Sequence, residues 1–142
     1  MLSKKQAKLF FLGGTVLFAM LFLGLSVDSL VNGIPKNTND ELMTDSVKEG
    51  KRLWEENNCM GCHTLMGEGA YYAPELTRVH SRRGPEYIKA TFNFPGGWAP
   101  NGRNMIEYDF NEEEKEALVA FFEWTDKMYL NGFPADPPLK QK

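Results

Sequence analysis

Residues 59–63 read Cys-Met-Gly-Cys-His, and the rest of the chain is best read outward from them. They hold both cysteines of the 142-residue sequence and one of its two histidines. A zinc site would need two further ligands, and outside the motif there is only His80 and no other cysteine. A thioredoxin-like dithiol belongs to alternating strands and helices, and no alternating strand pattern of any length occurs. A disulfide between the two cysteines would leave the histidine that follows them without a purpose. Thioether attachment of one haem c uses all three residues. Cys59 and Cys62 fit the two vinyl groups along one porphyrin edge, and His63 then lies under the iron as the proximal ligand. Pro74, eleven residues on, is a candidate to accept the other ring proton of His63 on its backbone carbonyl and so fix the ring's orientation.

The sixth ligand decides between an electron carrier and a gas-binding haem. Met43, Met60, Met66, Met105, Met128 and His80 are the candidates. Met60 lies inside the attachment loop, and Met66 is too near it in sequence to reach the opposite face. Met43 precedes the first domain helix, and Met128 falls within the last. Met105 ends a Gly-, Pro- and Asn-rich stretch, residues 92–105, long enough to wrap over the distal side. Met105 is therefore the expected ligand, with His80 the alternative. His80 sits among Arg78, Arg82 and Arg83, a pattern that also suits a solvated face. His/Met ligation raises the potential and closes the coordination sphere, which favours electron transfer over substrate chemistry.

Around the motif the pattern is helical. A helix is expected from Thr44 or Asp45 to about Asn57, with Gly50, Leu53 and Trp54 on one face. Glycine is costly inside a helix unless a neighbour must come close, so Gly50 reads as a helix crossing, the alternative being a tolerated glycine on a solvated face. A short helix is expected to start at Pro85, after Gly84. The last helix opens on a capping box, Asn111 with Glu114, carries an acidic first turn, and repeats Leu118, Phe121, Phe122 and Thr125. It is expected to reach about Tyr129, before Gly132 and Pro134.

Residues 9–27, LFFLGGTVLFAMLFLGLSV, carry no charge. As a helix they span roughly 28 Å, close to the thickness of a bilayer's hydrocarbon. The run exceeds the apolar region of a signal peptide and lacks an A-x-A cleavage site, so it reads as a retained anchor. Lys4, Lys5 and Lys8 precede it and Asp28 follows, which puts the N-terminus in the cytoplasm. The organisation expected is a cytoplasmic tail (1–8), a transmembrane helix (9–28), a polar linker (29–43) and a periplasmic domain (44–142). The chain's formal charge of -3 includes those three lysines, so the domain side is more acidic still. Without a basic stripe to meet phosphates, nucleic acid is excluded as a partner. The fold class expected is all-α, one small domain on a single membrane helix.

The stretch NNCMGCHTLMGEGAYYAPEL, residues 57–76, resembles the cytochrome c subunit of bacterial cytochrome c-dependent nitric oxide reductase. GKRLWEENN before it, FPGGWAPNGRNM, the EEEKEALVAFFEW helix and the closing NGFP resemble that family too, so the similarity covers nearly the whole chain. C-x-x-C-H by itself signals only a c-type cytochrome, whereas GEGAYYAPEL is far more specific. The resemblance implies a class I cytochrome c domain in the bacterial inner membrane. It implies a stable pairing with a large multi-helix subunit holding haem b and a haem b3–nonhaem iron centre, where NO is reduced to N2O. It also implies soluble periplasmic cytochromes or cupredoxins as donors. Cys59, Cys62, His63 and Met105 match the family's attachment and axial positions. Gly69 and Tyr71 resemble positions whose backbone carbonyls help bind a structural calcium near the subunit interface. The family's axial methionine is commonly followed by proline, but Ile106 follows Met105 here, leaving the ligand loop less restricted in φ. Two other classes of function are open to such a chain. One is an anchored cytochrome serving a haem–copper terminal oxidase or acting as a mobile shuttle. The other is a haem sensor or enzyme with an exchangeable distal ligand.

Overall fold

The computed structural model describes residues 3–93 and 104–135. Two compact units divide near residue 37.

The first unit is a helical rod. Helix α1, Lys4–Asp28, starts on a capping box in which Ser3 and Gln6 satisfy each other's backbone N–H groups. None of its side chains is buried in the fold, so the apolar surface from Leu9 to Val27 faces outward all round. A helix of this length and apolarity is long enough to cross a membrane. The rod does not stop at a linker. It passes through one wide π turn, Ser29–Gly33, into α2, Ile34–Thr38. Pro35 accounts for the wide turn. It lacks an N–H, and its ring crowds the carbonyl four residues back. The π turn shifts the pairing by one residue, with the Ile34 N–H bonding the Ser29 carbonyl. The expected linker at 29–43 is thus helical as far as Thr38, and Asn39 ends it with φ 50°.

The second unit is built on two crossing helices. Helix α3, Asp45–Glu56, is capped by the Thr44 hydroxyl accepting the Val47 N–H at 3.3 Å. It buries Val47, Gly50, Leu53 and Trp54, while Lys48, Lys51 and Arg52 pair with acidic neighbours on its wet face. Helix α6, Glu112–Asp126, carries the expected capping box, with both Asn111–Glu114 bonds at 2.9 Å. The two helices cross at Gly50, where a Cβ would run into the Ala117 carbonyl and lie 2.7 Å from the Phe121 Cβ. Beside the crossing, Trp54 packs edge-on to Phe122 and tilted against Phe121.

Helix α6 ends at Asp126, a turn earlier than Tyr129. The carbonyls beyond that point are taken by donors from elsewhere. Asn39 donates to the Lys127 carbonyl at 2.7 Å and Arg78 to the Met128 carbonyl at 3.1 Å. Met128 is thereby turned into the core.

Between α3 and α6 lie α4, Val79–Arg83, and α5, Pro85–Asn93, separated by Gly84 with φ 83°. Pro85 opens α5 as its spacing predicts; α4 leaves no such signal in the sequence. A small antiparallel hairpin, β1 (Thr64–Leu65) and β2 (Glu68–Gly69), turns through Met66 and Gly67, both at positive φ. Two-residue strands are too short to leave an alternating pattern, and among the described residues this hairpin is a small addition to the all-α domain that the sequence leads one to expect.

Candidate functional site

Helix α3 delivers the chain to the motif. Asn57 ends it with its side chain donating back to the Leu53 carbonyl at 2.8 Å, and Asn58 turns the backbone at φ 50°. Cys59–Gly61 then forms one 3-10 turn, closed by the N–H groups of Cys62 and His63 on the Cys59 carbonyl at 3.1 and 2.9 Å. Both cysteines are half-exposed free thiols, within one short turn of each other. Burial pushes the Cys59 thiol up to about 11.

His63 comes next, its Nδ1 2.8 Å from the Pro74 carbonyl. A carbonyl can only accept, so Nδ1 carries the proton and Nε2 is left with its lone pair. Burial lowers the His63 pKa, against the opposing pull of the Pro74 bond, and so favours the neutral ring. A neutral imidazole with a free Nε2 is the form that binds iron. The Trp54 indole flanks the ring at 6.4 Å between centroids, tying the site to the helix crossing. The donor set thus fits a haem c: two adjacent thiols, an oriented imidazole, and an aromatic wall behind it.

Segment 73–77 runs alongside the motif. The Ala73 N–H donates to the Cys62 carbonyl at 2.8 Å, and Leu76 donates to Thr64 at 2.9 Å. The Met66 N–H reaches the Thr77 hydroxyl at 2.6 Å. Gly69 closes the opposite edge at φ 114°, where a Cβ would collide with the His63 carbonyl. Gly69 is needed, therefore, for close approach to the histidine's own backbone. The Tyr71 side chain is 82% exposed. Among the described residues, no cluster of three or more His, Cys, Asp or Glu side chains is arranged to hold a metal ion.

Met105 is half-buried in the irregular stretch leading into α6. Most of the preceding loop, residues 94–103, lies outside the described residues. The chain beyond Met105 comes back over the motif: the Tyr108 hydroxyl meets the Asn57 carbonyl at 3.5 Å, and its ring stacks on Phe110. Burial raises the Tyr108 pKa, and the nearby Cys59 and Cys62 sulfurs add to it. His80 is half-buried on α4 and lies near Glu123 of α6. Lys127 first, and His80 to a smaller extent, hold the Glu123 carboxyl below its usual range. The structure thus brings Cys59, Cys62, His63 and Pro74 together, and brings the chain around Met105 to the same end of the domain. Sequence reasoning missed Thr77 and Glu75, and read Arg82 only as part of a solvated face, whereas the three together brace segment 73–77. Their only signal is the Thr two residues after a Glu, too common a pairing to read.

A cytochrome c family model matches residues 47–126. The small C subunit of nitric oxide reductase from Stutzerimonas stutzeri is 39% identical over 137 residues, 93% of each chain. The protein of the same name from Halomonas halodenitrificans is 40% identical over 147 aligned positions, 96% of each chain. Cytochrome c oxidase subunit 2 of Alkalihalophilus pseudofirmus is 29% identical over 103 positions, which is 66% of this chain but 30% of that one. The first two similarities run through the helical rod as well as the haem domain.

Proposed function

The chain belongs to the family of nitric oxide reductase C subunits, and from that premise we propose that it is the membrane-anchored, single-haem subunit through which a nitric oxide reductase receives its electrons. Its cytochrome c domain makes it an electron-transfer protein that binds haem c. The observation that carries the finer reading is the His63–Pro74 bond at 2.8 Å directly behind the cysteine pair.

In this reading Cys59 and Cys62 hold one haem covalently, and His63 and Met105 are its axial ligands. The bound haem supplies a reversible one-electron couple. The chain's own residues set its conditions. The thioethers prevent loss of the group, the Pro74 carbonyl fixes the His63 tautomer, and Trp54 keeps water from the proximal side. A methionine on the other face closes the iron to NO, so that chemistry is left to the partner. Helix α1 anchors the domain, with its N-terminus cytoplasmic and the domain periplasmic, in the inner membrane of a bacterium. Electrons arrive from periplasmic cytochromes c or cupredoxins and leave to the haem b of a multi-helix catalytic subunit. There two NO, two electrons and two protons give N2O and water. This chain is not itself the catalyst. Gly69 and Tyr71 lie on an exposed edge, where their backbone carbonyls can supply two ligands to an interface calcium. The remaining ligands would come from the partner.

The test is isolation of the intact complex from membranes. The expected result is one c-type haem per copy of this chain, a partner containing haem b and nonhaem iron, and consumption of NO. A partner containing copper, with no NO consumption, would overturn the reading in favour of an oxidase.

A further inference from the structure

Segment 73–77 is held from its far side by contacts that reach neither the haem motif nor the helix crossing. Glu75 folds its carboxylate forward onto Thr77. One oxygen, Oε1, accepts the Thr77 N–H at 2.7 Å and also the Thr77 hydroxyl proton. Because that proton is committed to Glu75, the hydroxyl oxygen is oriented to accept the Met66 N–H at 2.6 Å. Met66 sits at φ 52°, in the turn that carries the chain back from His63. Arg82 on α4 donates to the Glu75 backbone carbonyl at 2.6 Å. Thr77 is 0% exposed, so water does not compete for these bonds.

We propose that Glu75 and Thr77 form a latch that positions the Pro74 carbonyl against His63 and thereby tunes the electron-donating power of the proximal imidazole. This inference rests on the haem reading. Pro74 has no N–H of its own, so nothing on its own peptide nitrogen anchors it to the motif strand. Its carbonyl is fixed by its neighbours: Ala73 on one side, and on the other Glu75, locked through Thr77 and Arg82. A carbonyl held close to Nδ1–H draws that proton and gives the ring imidazolate character. Such a ring stabilises ferric iron more than ferrous, which lowers the midpoint potential. Glu75 and Thr77 are positioning residues; neither touches the iron.

The second carboxylate oxygen, Oε2, is buried with no hydrogen-bond partner among the described residues. Glu75→Gln can therefore place its nitrogen there and keep Oε1 accepting both bonds. That variant removes a charge while leaving the latch closed. Thr77→Val does the opposite, opening the latch without changing charge.

The experiment uses the full chain with its haem, in detergent. The readouts are the midpoint potential and the exchange rate of the His63 ring N–H in the reduced protein, followed by NMR. Thr77→Val and Glu75→Ala are expected to speed that exchange at least tenfold and to raise the potential. A tenfold loss of ferric preference corresponds to about 59 mV for a one-electron couple. Thr77→Ser is expected to restore both values, and Glu75→Gln to leave the exchange rate at that of the unmodified protein. The two disruptive variants enter the latch from opposite ends, so either one decides the matter if the other does not accumulate. Unchanged exchange and potential in a folded, haem-bearing Thr77→Val or Glu75→Ala protein would overturn the latch. Failure of the unmodified chain to show a low-spin c-type spectrum would instead overturn the haem reading and the latch with it.

Discussion

Four successive hydrogen bonds tie residues 62–66 to residues 73–77, whereas the chain from Asn104 to Phe110 reaches the same end of the domain as an irregular stretch. On the first side, His63 has a bonded ring, a backbone pressed against Gly69, and Trp54 alongside. On the second, Met105 is half-buried, its neighbour Ile106 is 64% exposed, and Tyr108 holds on through one long bond to Asn57. The proposed axial ligands are therefore secured by different means. Among the described residues, the histidine is held by backbone and ring bonds to segment 73–77, and the stretch after Met105 by the Tyr108 contact with Asn57.

The largest effect should come from undermining the frame under the proximal side. Gly50→Val forces a branched side chain into the Ala117 carbonyl, and is expected to destabilise the domain by about 3 kcal/mol. Denaturant unfolding of the haem-bearing protein measures this. Stability equal to that of the unmodified chain would mean the helices do not cross at Gly50. Next comes the hairpin edge. Gly69→Ala puts a side chain at φ 114° and against the His63 carbonyl, with an expected loss of about 2 kcal/mol. Its haem spectrum should report a disturbed proximal ligand, and an undisturbed spectrum would show that the hairpin does not restrain His63.

The smallest effect concerns the distal side and runs the other way. Ile106→Pro restores the residue that commonly follows the family's axial methionine. Restricting φ there is expected to add about 0.4–1 kcal/mol, mainly by limiting the unfolded chain. It should also slow the entry of external ligands such as azide to the ferric iron. Destabilisation would show that the backbone at Ile106 is not compatible with proline, and that this chain holds Met105 in its own way.

Local signals were the legible ones. Asn111 with Glu114 is a capping box, Thr44 rather than Asp45 caps α3, and Gly50 beside Trp54 is the helix crossing rather than a glycine on a solvated face. The Pro74 partner of His63 was legible because a ligating imidazole needs an acceptor behind it. The helical course through Pro35 was hidden, because Asn, Gly and Pro usually mark a linker and the π turn that tolerates them leaves no pattern. Helix α4 was hidden for a similar reason, as five residues are too few for a periodicity. The Thr77 latch depends on a single hydroxyl meeting a backbone N–H eleven residues away, and no spacing rule announces that.

A closed, six-coordinate iron is tested most directly by carbon monoxide added to the reduced, intact complex while the c-type haem bands are followed apart from those of haem b. His63/Met105 ligation predicts no change in those bands for the unmodified chain, and ready CO binding once Met105→Ala removes the sixth ligand. CO binding to the c-type haem of the unmodified protein would contradict it, because the iron would then be open and the domain more than a carrier.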